Sequence, residues 1–180
     1  MAIEPEGGRQ RIGPSLTLVL GGARSGKSRH AEALAGGFAG PRFYIATAEA
    51  LDAEMADRIA RHRLDRGPEW RTIEAPHALA AAFGAVPDGA VMVIDCLTLW
   101  LSNRLLAGAD LEAETTTLTA ALARRRGPWI VVSNEVGFGI VPDNALARRF
   151  RDAAGRLNQA VAAEADRVFL VVAGLPLALK

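Results

Sequence analysis

The segment Gly21-Gly22-Ala23-Arg24-Ser25-Gly26-Lys27-Ser28 has the spacing G-x-x-x-x-G-K-S, and its chemistry is phosphate binding. The glycines let backbone N–H groups turn inward around phosphate oxygens. The lysine reaches the β- and γ-phosphates as a compact charge, and the serine hydroxyl ligates Mg²⁺. Of the 21 Lys and Arg residues, all but Lys27 and Lys180 are arginine. A lysine retained at this one place in an otherwise arginine-using chain indicates a requirement that a guanidinium cannot meet. Gly21 to Ser28 are therefore predicted to bind a nucleoside triphosphate, with Lys27 as the catalytic cation.

Two other apolar runs end in polar groups. Val91-Met92-Val93-Ile94 leads into Asp95, whose carboxylate would hold Mg²⁺ directly or through water, opposite Ser28. The competing reading is a strand-end aspartate capping a helix that starts near Leu97. Ile130-Val131-Val132-Ser133 leads into Asn134 and Glu135, both candidate substrate contacts. Glu135 could also be a general base for an attacking hydroxyl, an outer-shell Mg²⁺ group, or a surface glutamate in a turn. Gly137 and Gly139 would let the following loop approach a ligand closely.

Of the three histidines, His30 and His77 read as structural, whereas His62 shares a helical face with Leu51, Met55 and Ile59. Arg58, Arg61, Arg63 and Arg66 surround it, with Asp65 three residues on. Several neighbouring arginines favour the neutral imidazole, which is a nucleophile near pH 7, and they could neutralise a triphosphate. Asp65 could orient the ring. A buried histidine packed in a basic helix fits the same pattern.

These groups need a scaffold, and the apolar periodicity describes one. Short apolar runs at Leu16–Leu20, Phe43–Ala46, Val91–Ile94, Trp129–Val132 and Val168–Val172 alternate with helical patterns near 27–36, 52–66, 76–84, 97–107, 111–126 and 143–165. Trp70–Ile73 reads as an additional strand. Strands that are apolar throughout, alternating with helices, predict an α/β fold of the P-loop NTPase kind, a mostly parallel sheet with helices on both faces. Ligands collect at the carboxyl ends of such strands, which selects Gly21–Ser28, Thr47-Ala48-Glu49, Asp95, Ser133-Asn134-Glu135 and Gly174. The last helix carries an apolar stripe at Leu146, Phe150, Ala153, Leu157 and Val161, with Asp143 as its expected cap. Trp100 and Phe138 read as core residues.

At 180 residues the chain is sized for one domain, taken as 16–180 behind a flexible leader at 1–15. A net charge of +1 gives no case for nucleic acid, and Arg124-Arg125-Arg126 reads as a solvated loop. The single cysteine, Cys96, excludes an internal disulfide and suits a reducing, cytoplasmic setting. No apolar stretch is long enough to insert across a membrane, and no signal-peptide core is evident.

Taken together, the chain resembles the bifunctional adenosylcobinamide kinase / adenosylcobinamide-phosphate guanylyltransferase family of cobalamin biosynthesis. The matching segments are Gly21–Arg29, Tyr44-Ile45-Ala46-Thr47, Arg58-Ile59-Ala60-Arg61-His62-Arg63, Trp70–Glu74, Asp95-Cys96-Leu97-Thr98-Leu99-Trp100 and Asn134–Pro142. They stay in order from about Leu16 to the end. The resemblance implies that ATP or GTP phosphorylates the aminopropanol hydroxyl of adenosylcobinamide. GTP then guanylylates a histidine, and the GMP passes to adenosylcobinamide phosphate, giving adenosylcobinamide-GDP. Carried onto this chain, His62 is the nucleophile; Arg61 stands before it where some relatives look to have a second histidine, which removes ambiguity. Thr47, Ala48, Glu49, Arg63, Leu64, Asp65, Arg66, Glu74 and Asp95 would complete the nucleotide site, with Ser28 and Asp95 on Mg²⁺. The resemblance also implies a homotrimer. The rival readings are a simple small-molecule or nucleoside kinase, which would not need His62, and a nucleotide-gated binding module, which would need no corrinoid pocket.

Overall fold

The computed structural model describes residues 13–49, 57 and 67–180. Seven strands form one sheet: β1 (Ser15–Gly21), β2 (Arg42–Ala46), β3 (Trp70–Glu74), β4 (Val91–Asp95), β5 (Pro128–Asn134), β6 (Arg167–Val172) and β7 (Leu175–Ala178). Their spatial order is β3-β2-β4-β5-β1-β6-β7. All neighbours are parallel except β6 and β7, which form an antiparallel hairpin at one edge. The helices bounded within the described residues are α1 (Lys27–Gly36), α2 (Leu79–Ala82) running into a 3₁₀ turn at Phe83–Ala85, α3 (Leu97–Leu106), α4 (Leu111–Ala123) and α5 (Ala145–Glu164).

Side chains of a strand alternate between faces, so each central strand feeds two cores. On one face Leu16, Leu18, Leu20, Met92, Ile94 and Val131 pack with Leu97, Leu101, Leu118, Leu122 and Leu157. On the other, Val19, Tyr44, Val91, Val93, Ile130 and Val132 pack against Ala31 and Ala35 of α1. Burial on both faces is why these strands read as unbroken apolar runs. The alternation also places Asp95, two residues beyond Val93, on the α1 face.

Among the described residues the expected strands and helices correspond closely to those found, with corrections. The cap of α5 is Asn144, whose side chain accepts from Ala147 N at 2.7 Å; Asp143 lies one residue too early. Leu146 is 53% exposed, so the buried stripe of α5 runs through Ala153, Leu157 and Val161, with Phe150 packed beside it. Trp100 is core at 2% exposure, but Phe138 is 84% exposed in the loop after β5. The arginine run is also more than a solvated loop: Arg125 pairs with Asp166 at 2.9 Å and Arg126 with Asp88 at 2.8 Å. The helix expected at 52–66, and His62 with it, lies outside the described residues. No helix among the described residues is long and apolar enough to cross a membrane.

Candidate active site

The glycine loop joins β1 to α1 at the centre of the sheet. Arg24 (φ 56°) and Gly26 (φ 94°) both take the left-handed conformation, which turns successive N–H groups inward into an anion-binding concavity. The start of α1 has Gly26 at its cap position and no side-chain cap. By contrast Asp110 caps Glu112 N and Ala113 N at the start of α4. The first amides of α1 thus keep their donors for a ligand, at the positive end of the helix dipole. Gly21 is required by close approach: a Cβ there would press on Ser25 Oγ and stand 2.7 Å from the Val171 carbonyl oxygen.

The loop is braced from outside. Gly174 N donates to Ser25 O at 2.8 Å, and Glu135 N donates to Gly21 O at 3.1 Å. The β6–β7 turn, with Ala173 (φ 53°) and Gly174 (φ 80°) both left-handed, thereby packs directly on the phosphate cradle. Lys27 Nζ donates to Gly22 O at 3.3 Å, so its ammonium is folded over the loop, where phosphate oxygens would replace that carbonyl.

A cavity of about 740 Å³ opens over the loop. Its wall includes Arg24 to Arg29, Tyr44, Ala46, Ala48, Asp95, Cys96 and Asn134. Ser28 and Asp95, selected from separate segments, therefore face the same space. One carboxylate and one hydroxyl are hard oxygen donors, and Mg²⁺ is commonly held by one or two such groups plus phosphates and water. The donor set fits a hard divalent cation such as Mg²⁺; among the described residues no cluster of three or more His, Cys, Asp or Glu could hold a metal by itself. Asp95 does not cap α3, whose cap position is Cys96 without a side-chain bond. Its Oδ2 instead accepts from Tyr44 Oη at 2.5 Å.

The remaining expected residues divide by their surroundings. Ala48 and Asn134 line the cavity, and Asn134 Oδ1 is buried without a hydrogen-bond partner among the described residues. Thr47 is fully buried and its hydroxyl bridges Cys96, accepting from Cys96 N and donating to Cys96 O, both at 2.7 Å. Glu49 Oε1 meets His77 Nε2 at 2.7 Å. Glu74 ends β3 on the exposed side, beyond the cavity wall. Glu135 turns onto its own loop, accepting from Gly137 N at 2.6 Å. His62, Arg63, Leu64, Asp65 and Arg66 lie outside the described residues.

Sequence reasoning assigned no role to Tyr44, Thr98 or Asn103. Thr98 Oγ1 accepts from Asn134 N at 3.1 Å and meets Cys96 Sγ at 2.7 Å. Asn103 Nδ2 donates to Thr47 O and Pro76 O at 2.9 and 3.0 Å. Polar residues on an otherwise apolar helix, Leu97–Leu106, were the available signal. Cys96 is buried, and burial pushes its thiol above the ordinary range, with the adjacent Asp95 charge adding to the effect. It is a neutral wall group.

Residues 17–179 match the family model described as cobinamide kinase / cobinamide phosphate guanyltransferase. The chain is 50% identical over 166 residues to the bifunctional adenosylcobalamin biosynthesis protein CobP of Pseudomonas aeruginosa, covering 91% of this chain and 96% of that one. It is 45% identical over 182 residues to the bifunctional adenosylcobalamin biosynthesis protein CobU of Salmonella typhimurium, covering 92% and 99%. Among solved structures, the flagellar accessory protein FlaH of Methanocaldococcus jannaschii superposes with a TM-score of 0.52 at 15% identity, over 95% of this chain and 82% of that one. A type III secretion ATPase from pathogenic bacteria superposes at 0.56 and 13% identity, over 94% and 60%. At such identities these two show the fold alone, a P-loop ATPase sheet. The family match and the relatives, spanning nearly the whole chain, decide the rest: this chain belongs to the cobinamide kinase / cobinamide phosphate guanylyltransferase family.

Proposed function

We propose that this member of the family performs both of its reactions at the cleft above the glycine loop. It phosphorylates the aminopropanol hydroxyl of adenosylcobinamide from a nucleoside triphosphate. It then transfers GMP from GTP, by way of a histidine adduct, to adenosylcobinamide phosphate, releasing pyrophosphate and giving adenosylcobinamide-GDP. The observation that carries this reading is the convergence of Lys27, Ser28, Asp95 and Asn134, from three separate strand ends, on one cavity large enough for a nucleotide.

In the kinase step the loop amides and Lys27 hold the β- and γ-phosphates and neutralise charge that develops on the transferred group. Mg²⁺, held by Ser28 and Asp95, would supply further neutralisation of the phosphate oxygens. Asn134, in the cavity wall, is suited to contact an incoming hydroxyl. In the second step His62 attacks the α-phosphorus of GTP. The N–P bond forms as the bond to pyrophosphate breaks, and the acceptor phosphate then displaces the imidazole. The arginines around His62 favour the neutral ring that attack requires. The enzyme works as a homotrimer in the reducing cytoplasm.

Incubation with α-labelled GTP and Mg²⁺ tests the reading. Label is expected to remain on the denatured protein in an acid-labile, base-stable bond, and His62→Ala is expected to abolish it while cobinamide phosphorylation persists. Full labelling of that variant would remove His62 from the mechanism. Absence of label on the wild-type protein would leave only the simple kinase.

A further inference from the structure

We propose that strand β2 positions the metal-binding carboxylate, with Tyr44 setting the rotation of the Asp95 side chain and Thr47 fixing the peptide that follows it. The inference rests on the assignment of Asp95 to Mg²⁺ and deepens it.

Tyr44 is 3% exposed, and its ring needs no hydroxyl to be held. It packs with Val91, Val93 and Ala31 on the α1 face and meets Trp70 edge-on at 6.0 Å between centroids. A buried phenol oxygen must find a partner. A partner here is Asp95 Oδ2, a carboxylate oxygen of a cavity-wall residue, at 2.5 Å. The register explains the meeting: Tyr44 pairs with Val93 and Ala46 with Asp95, so Tyr44 and Asp95 sit diagonally on one face of adjacent strands. The phenol occupies Oδ2 and leaves Oδ1 as the oxygen free of a protein donor among the described residues.

The main chain is held from the same strand end. Thr47 Oγ1 bridges the N–H and C=O of Cys96, and Thr47 N donates to Asp95 O at 3.3 Å. A carboxylate fixed at both its backbone and one oxygen loses little freedom when the other oxygen binds a cation, which is how a supporting shell strengthens a metal site. Tyr44 touches neither phosphate nor metal in this scheme; it is a positioning residue.

The test measures equilibrium binding of a fluorescent GTP analogue, with Mg²⁺ and with EDTA, to wild-type, Tyr44→Phe, Asp95→Asn and the double variant. Phenylalanine keeps the ring and its packing, and a thermal melt of the nucleotide-free protein checks folding. Losing a hydrogen bond to a charged group is expected to weaken Mg²⁺-dependent binding about tenfold, with binding in EDTA unchanged. The concentration of Mg²⁺ needed for half-maximal kinase activity should rise similarly, while saturating Mg²⁺ restores the rate. In the Asp95→Asn background, Tyr44→Phe should add nothing. Equal weakening with and without Mg²⁺, an unchanged Mg²⁺ dependence, or a full additional loss in the double variant would each overturn the inference. Should the wild-type protein bind the analogue no better with Mg²⁺ than without it, the metal assignment itself would fall.

Discussion

At the scale of single residues, Lys27 is the group on which both proposed reactions would converge. Its ammonium rests on Gly22 O at 3.3 Å and can be released to phosphate without moving the loop. Lys27→Ala is expected to lower both cobinamide phosphorylation and guanylylation by about a hundredfold or more, the usual cost of removing one preorganised donor at a reacting centre. Rates for both within a few-fold of wild type would exclude the lysine from the chemistry. His30, one turn into α1, makes a different argument. Its Nε2 is buried without a hydrogen-bond partner among the described residues, its ring meets Phe169 edge-on at 5.2 Å, and burial, helped by Arg167, lowers its pKa from the ordinary 6.5. The unfolded chain therefore takes up this proton at a higher pH than the native protein does. The native state should lose stability as pH falls below about 6.5, levelling off once the folded imidazole also protonates. His30→Gln should flatten that part of the curve of melting temperature against pH; an identical curve would show the ring to be indifferent. Lys27 was legible because its motif is contiguous. Tyr44 was not, because its meaning lies in a contact 51 residues away that only strand register creates.

At the scale of elements, local chemistry was legible wherever it acts within a few residues. The five apolar runs and the short Trp70–Ile73 segment each became a strand; β1, β4 and β5 are buried on both faces, which leaves no alternation to misread, whereas β3 at the sheet edge is largely exposed. Strand β7 was missed: Leu175-Pro176-Leu177-Ala178 is short, all exposed, and contains a proline that only an edge tolerates. The cap of α5 shows the resolution limit of such reading. Asp143 and Asn144 are both good caps by type, and only backbone geometry selects Asn144. Asn144→Ala is expected to cost about 1 kcal/mol of stability, and Asp143→Ala much less, measured by chemical denaturation; a reversed order would refute the assignment. The loop glycine Gly26 combines both constraints. Its φ of 94° disfavours any side chain, and a Cβ would stand 3.3 Å from Gly174 Cα, which belongs to backbone and cannot swing aside. Gly26→Ala is therefore expected to weaken nucleotide binding strongly, because it separates the β6–β7 turn from the cradle it braces.

At the scale of the whole molecule, the surface carries more exposed apolar area than scattered single residues would give. Phe138, Ile140, Val141 and Leu146 are 84, 97, 61 and 53% exposed around the loop after β5, and Val172, Leu175, Leu177 and Leu179 are exposed near the β7 edge. Exposed apolar side chains that cluster along the chain in this way are candidates for association sites, and a strand edge is a ready template for pairing. Neither group could be recognised in the sequence, where Phe138 and Leu146 have the types and spacing of core residues. They agree with the proposed trimer, in which such surface would be shared between copies. Light scattering on the purified protein is expected to give three times the mass of the chain. Because apolar contacts are little affected by ionic screening while surface charge pairs are weakened by it, that mass should hold when salt is raised. A single-chain mass at micromolar concentration would overturn the trimer. A trimer that dissociated in salt would place its stability in charge pairs between copies instead of the apolar loops.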